Sequence, residues 1–192
     1  MRRGLTGTLE LLLLIAAPVA TRGQAGASAR RADSLATASR IRGVYIPRDL
    51  REALDSLPHL SPELVRRFQS EPEDSLPKYH LCIGMSIRNN WGLWAGSRLA
   101  RYFRRLGVRH PDDMSGIILT SLWRELNHQP IHLRGQVACI RRYYAIVDSS
   151  RAVAGDSGTY YLPDIVCGPS GPTEIRRGFP VSPVREVPRE HK

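Results

Sequence analysis

Between about residues 44 and 148, apolar side chains recur at intervals of three and four. Each run is bounded by a proline, glycine, hydroxyl or acid where a helix starts or stops. Leu50, Ala53, Leu54 and Leu57 share one face of a helix predicted over about 47–57, with Pro47 in its first turn and Asp49 at its positive end. Ser61-Pro62-Glu63 starts a second helix to about Ser70, with Leu64, Val65 and Phe68 on its apolar stripe. After an acidic, turn-rich connection over 71–77, the spacing of His80, Ile83, Ile87 and Trp91 predicts a third helix over about 78–90, ended by Gly92. Leu99, Tyr102, Phe103 and Leu106 mark a fourth, capped by Gly107. Pro111, Asp112 and Asp113 open a fifth, carried by Met114, Ile117, Ile118, Leu122 and Leu126 and stopped by Asn127 and Pro130. Residues 136–147 fit a helix through Val137, Ile140, Tyr144 and Val147, and a strand through their β-branched and aromatic content; the helix is preferred. The expected fold is mainly α, an irregular bundle of five or six short helices over 44–148, with disordered N-terminal and C-terminal segments.

The flanks differ in kind. Residues 1–27 read as an export signal, with Arg2 and Arg3 at its start, an apolar run from Leu11 to Ala20, and small residues that place cleavage after Ala25 or Ala27. An apolar run of about ten residues is short of the roughly 20 needed to span a bilayer as a helix, so no transmembrane span is expected after processing. Residues 28–43 read as a linker and 149–167 as an irregular extension. Residues 168–192, with prolines at 169, 172, 180, 183 and 188, read as a disordered tail. The expected location is therefore periplasmic or extracellular.

Composition bears on partners. The chain of 192 residues carries a formal charge of +10, and removal of residues 1–25 leaves 25 basic and 17 acidic side chains. Only Lys78 and Lys192 are lysines, so the basicity is almost wholly arginine. A basic sum is an electrostatic footprint only where it clusters on one face. The three cysteines, at 82, 139 and 167, lack metal-ligand spacing; a Cys139–Cys167 disulfide and three unpaired small residues both fit. No cofactor and no metal site is expected.

The least generic stretch runs from Gly84 to Leu119 and holds two of the three tryptophans and two of the three asparagines. Its pattern R-N-x-W-G-L-W-x-G-S-x-L, joined by Tyr102-Phe103, a His110-Pro111-Asp112-Asp113-Met114-Ser115 turn and Ile117-Ile118-Leu119, resembles an uncharacterised family of bacterial domains of unknown function. The resemblance covers roughly Ile46 to Ile140. It implies no activity and transfers no catalytic residue; the export signal and Pro-rich tail are what this chain adds.

The residues admit two readings. In one, Trp91 and Trp94 anchor the Trp-Gly-Leu-Trp turn in the core while Arg88 pairs with Asp112 or Asp113. In the other, Arg88, Asn89, Trp91, Trp94, His110, Asp112 and Asp113 line a pocket, since aromatic walls with a few convergent polar groups are what ligand sites use. A His beside carboxylates suits acid–base work and Ser115 suits a nucleophile, but acids in a first helical turn already complement the macrodipole, and Ser115 lacks a nucleophile elbow. Arg98, Arg101, Arg104 and Arg105, with nearby Arg109, form the candidate anion-binding face. For an exported chain, an envelope protein or anionic surface fits that face better than nucleic acid. The functional expectation is an exported, non-catalytic binding or interaction module. The alternative is a small hydrolase-like or ligand-binding protein with a pocket around Arg88, Trp91 and His110.

Overall fold

The computed structural model describes residues 30, 33–57, 62–155 and 158–182. The segment read as an export signal, with its expected cleavage site, and the end of the tail lie outside these residues. A helical stretch over residues 33–37 precedes a short hairpin, β1 (Arg40–Ile41) antiparallel to β2 (Val44–Tyr45). Its two turn residues, Arg42 (φ 50) and Gly43 (φ 81), both take the left-handed conformation that a two-residue hairpin turn requires. Residues 40–43, read as part of a linker, thus belong to a hairpin, and its turn returns the chain so that Ile46 and Pro47 are fully buried. Asp49 caps α1 (Leu50–Ser56) by accepting the Glu52 N–H at 3.0 Å, so this helix starts three residues beyond the expected Pro47.

α2 (Pro62–Gln69) leads into one continuous helical path with three pitches. It is 3₁₀ over Glu73–Tyr79, widens to a π turn over His80–Gly84, and becomes α3 over Met85–Asn90. Spacing predicts one regular α-helix here. Pro77, inside the 3₁₀ stretch, has no N–H to give the ladder. A π turn inserts a residue and so rotates the helix beyond it. The Trp-Gly-Leu-Trp turn uses Gly92 (φ 62) and Gly96 (φ 76), and Ser97 then caps α4 (Arg98–Arg105) by accepting the Ala100 N–H. α4 ends in a Schellman motif: Val108 N–H donates to the Phe103 carbonyl and Gly107 N–H to that of Arg104, while Phe103 and Val108 are both fully buried.

α5 (Pro111–Leu126) is the axis of the molecule. Met114, Ser115, Ile117, Ile118, Leu119, Ser121, Leu122 and Trp123 are all buried, because α1 to α4 and the helical path before α3 pack around it. α6 (Leu133–Ala154) comes next and settles the ambiguous 136–147 stretch as helix, longer at both ends than its apolar pattern indicates.

The largest departure comes last. Residues 160–181, expected to be irregular and disordered, form a second antiparallel hairpin of β3 (Tyr160–Gly168) and β4 (Gly171–Val181), with Ile165 opposite Ile175 and Gly168 opposite Gly171. A two-stranded hairpin is marginal alone. This one lies along α6, and a Cys139–Cys167 disulfide fastens it there. Its turn sits so close to α6 that a Cβ on Gly135 would come within 2.3 Å of the Pro169 carbonyl oxygen. The fold is mainly helical with two small antiparallel sheets. Among the described residues no helix is long and apolar enough to cross a membrane.

Candidate functional site

Arg88 is the organising charge. The π turn brings Gly84 one turn above it, where a Cβ would lie 3.0 Å from Arg88 Nη1, so only glycine leaves the guanidinium its path toward α5. Arg88 is buried. Its Nε pairs with Asp112 Oδ1 at 2.9 Å, Nη1 donates to Ser115 Oγ at 2.9 Å, and Nη2 donates to the His80 carbonyl at 3.2 Å. Ser115 Oγ in turn donates to the Asp112 carbonyl at 2.9 Å. The residue that a search for a nucleophile singles out is therefore held by two structural bonds.

Two imidazoles flank Asp112. His80 Nε2 lies 3.4 Å from Oδ1 and His110 Nδ1 lies 3.3 Å from Oδ2. His110 is also the N-cap of α5, its Nδ1 accepting the Asp112 N–H at 3.3 Å. One nitrogen cannot accept from that N–H and donate to the carboxylate together. With its Nδ1 unprotonated, His110 caps the helix; with a proton on Nδ1 it donates to Asp112 instead. Trp94 is exposed and stands edge-on to the His110 ring, centroids 5.5 Å apart.

Asp113 points elsewhere. Its Oδ2 accepts the Tyr144 hydroxyl from α6 at 3.0 Å, and burial pushes its carboxyl above the usual aspartate range. Burial likewise pushes the Tyr144 hydroxyl well above its ordinary value, with the nearby Asp113 charge adding to it. Asp112 and Asp113 open onto a cleft of about 920 Å³ between α5, α6, the 3₁₀ stretch and β3. Leu76, Ile117, Ile140, Ile165 and the disulfide give it apolar walls. His80 and the Glu73–Arg124 ion pair, 2.7 Å apart, supply further polar lining.

The seven candidate pocket residues do not meet in one cavity. Arg88, His110 and Asp112 form a single network, with Trp94 against its His110 edge. Asp113 faces Tyr144 and Asn89 is exposed. Trp91 is buried on the other side of α3, where it lines a separate apolar cavity of about 330 Å³ with Leu57, Phe68, Ile83 and Ile87. The expected shared tryptophan wall does not form, because Gly92 and Leu93 turn the chain so that one indole points inward and the other outward. The candidate anion face is also divided. Arg98 Nε donates to the Ile46 carbonyl at 2.7 Å and its guanidinium lies 5.0 Å over the Tyr45 ring, so it belongs to the first hairpin. Arg101, Arg104, Arg105 and Arg109 are exposed.

His80 and Tyr144 enter the network although nothing in the sequence marks them for it. Each occupies an apolar-spaced helical position, and only the eight-residue interval from His80 to Arg88, two helical turns, hints at their juxtaposition.

What fold and site define is a small, mainly helical domain whose charged residues converge on the first turn of its central helix. Residues 46–126 match a family model described as Domain of unknown function (DUF6794). That span contains the Arg88–Leu119 motif region and ends fourteen residues short of Ile140. No curated protein and no solved structure matches the chain.

Proposed function

We propose that the chain is an exported, non-catalytic binding module whose ligand lies in the cleft between α5, α6 and β3. The observation that carries this reading is the commitment of Arg88. All three of its nitrogens bond within the protein, and Ser115 is spent on the same network, so the groups best suited to attack or to stabilise a developing charge are already satisfied. The cleft, by contrast, offers apolar walls with a few polar groups, the composition of ligand sites. Export is supported by the apolar run behind Arg2 and Arg3 and by the Cys139–Cys167 disulfide, a bond that persists in oxidising compartments.

The test is a search for compounds that raise the melting temperature of the purified chain, with recovery of the bound compound afterwards. A binding module returns it unaltered and loses the shift on Thr120→Arg, at a half-buried position of the cleft wall. Recovery of a converted product would replace this reading with an enzymatic one. Export is tested by sequencing the N-terminus of protein from the envelope fraction, which is expected to begin after Ala25 or Ala27.

A further inference from the structure

Five arginines gather around α4 and the ends of its flanking turns. Arg101, Arg104 and Arg105 stand three and four residues apart, hence on one helix face, and all three are exposed. Arg109, just past the C-terminus, is exposed too. The fifth comes from another helix. Arg141 of α6 lays its stem over Gly107, its Cδ 3.2 Å from where a Cβ would stand. At the other end Arg104 folds back over Gly96, with Nη1 3.1 Å from the corresponding point. Two positive-φ glycines thus let arginines lie flat at both ends of α4, and Gly96 is two residues from the exposed indole of Trp94.

The segments that carry this face hold no acid of their own. Residues 75–111 contain seven basic side chains and no Asp or Glu, and residues 127–147 of the α6 region contain no acid either. Among the described residues none of the five arginines has a carboxylate partner. A favourable interaction with the α4 C-terminus accounts for Arg105 but not for Arg104, whose guanidinium lies at the opposite end beside Gly96. It does not account for Arg101, nor for an arginine brought over from α6.

We propose that this face docks on an anionic lipid bilayer, with the guanidinium groups on headgroup phosphates and the Trp94 indole at the interface. Neither cleft takes in any residue of α4, and what the face presents is exposed cations rather than the apolar anchors on which tight protein partners centre. A charged sheet of headgroups needs no pocket. It needs several unpaired cations, preferably forked ones that match phosphate, and an amphipathic ring beside them. The inference goes beyond the cleft and does not depend on it.

The experiment is co-sedimentation of the full chain with phosphatidylcholine vesicles and with vesicles that also contain phosphatidylglycerol, at low and high salt. Binding is expected to anionic vesicles only and to fall with salt. Each arginine near an anionic surface contributes on the order of fivefold, so R101Q/R104Q/R105Q lowers partitioning on the order of 100-fold. The charge-matched R66Q/R67Q/R134Q, whose arginines are exposed elsewhere, stays within about twofold of the parent. The fluorescence of Trp94, the exposed indole beside buried Trp91 and Trp123, is expected to shift to shorter wavelength on anionic vesicles, a change absent in Trp94→Phe. Equal partitioning on neutral and anionic vesicles would assign binding to the apolar N-terminal run and overturn the proposal. So would equal losses in the two triple variants, or no binding at all. Tighter binding to polyglutamate than to anionic vesicles at matched charge would reassign the face to an acidic protein.

Discussion

Arg88 shows how a single side chain ties the sequence motif to the fold. It crosses from α3 to α5 over Gly84, and Asp112, in the first turn of α5, answers its charge. Removing one member of a buried pair leaves the other desolvated and uncompensated, which costs more than the pair itself contributes. Asp112→Asn is therefore expected to lower unfolding free energy by about 2 kcal/mol, less than for a fully buried pair because Asp112 is one-third exposed. Urea unfolding measures it; a change within the scatter of the wild type would show that His80, Ser115 and solvent suffice for Arg88. Asp113 behaves in the opposite sense. Its folded pKa is raised above the unfolded value by burial, so it contributes nothing adverse while protonated in both states and an increasing cost as pH climbs through the carboxylate range. The stability of Asp113→Asn relative to the wild type is expected to improve between about pH 3 and about pH 6. A difference flat across that range would contradict the role of burial. The motif makes Arg88, Asp112 and Asp113 stand out in the sequence, and of the two carboxylates it leaves open as partners, Asp112 is the one that meets Arg88. His80 and Tyr144 were not legible, because nothing local says that a π turn aims one at Asp112 and a helix thirty residues on aims the other at Asp113.

At the level of elements, the Ser97 and Gly107 caps were legible, whereas Asp49 was read inside its helix and His110 was not read as a cap, although every one of these caps is made by neighbours in sequence. Asp49, Ser97, His110 and Gly107 all act within a few residues of themselves. The β3–β4 hairpin was not legible, since five prolines and scattered charges over 168–192 describe a segment unable to build its own core. It does not have to, because α6 supplies the surface and Cys139–Cys167 the fastening. With the bridged cysteines 28 residues apart, loss of the crosslink is expected to cost about 3.5 kcal/mol of stability by its effect on the unfolded chain. Comparing urea midpoints of the oxidised chain with Cys139→Ser/Cys167→Ser checks this. Gly135→Ala is a sharper probe of docking. Its Cβ would meet the Pro169 carbonyl oxygen, a backbone atom that cannot rotate away, so the hairpin must lift or α6 must shift at a cost of about 1–3 kcal/mol. Retention of wild-type hydrogen exchange in β3 by that variant would mean that the turn has slack the packing does not show.

For the whole molecule, the span that matches the family model supplies only one side of the cleft. Leu76, Asp112, Asp113 and Ile117 lie within residues 46–126, whereas Gln136, Ile140, Ile165 and the disulfide lie beyond. A ligand in the cleft would be read jointly by the family segment and by what this chain places against it. The two parts are expected to differ in stability, because α5 is buried along most of its length and the hairpin rests on one helix. Under reducing conditions trypsin is expected to cut first at Arg176 or Arg177 in β4 while the chain through α5 stays protected. Simultaneous loss of both, read by mass spectrometry, would show a single cooperative unit. What the sequence determined by itself is a set of local decisions: the apolar periodicity of most helices, the Ser97 and Gly107 caps, and an Arg88 pairing with one of the two aspartates. Tertiary structure alone decided the outward turn of Trp94, the withdrawal of Arg98 to the first hairpin, the arrival of Arg141 beside α4, and the ordering of the second hairpin. Caps and periodicity act over a few residues, whereas these four outcomes depend on surfaces that distant parts of the chain bring together.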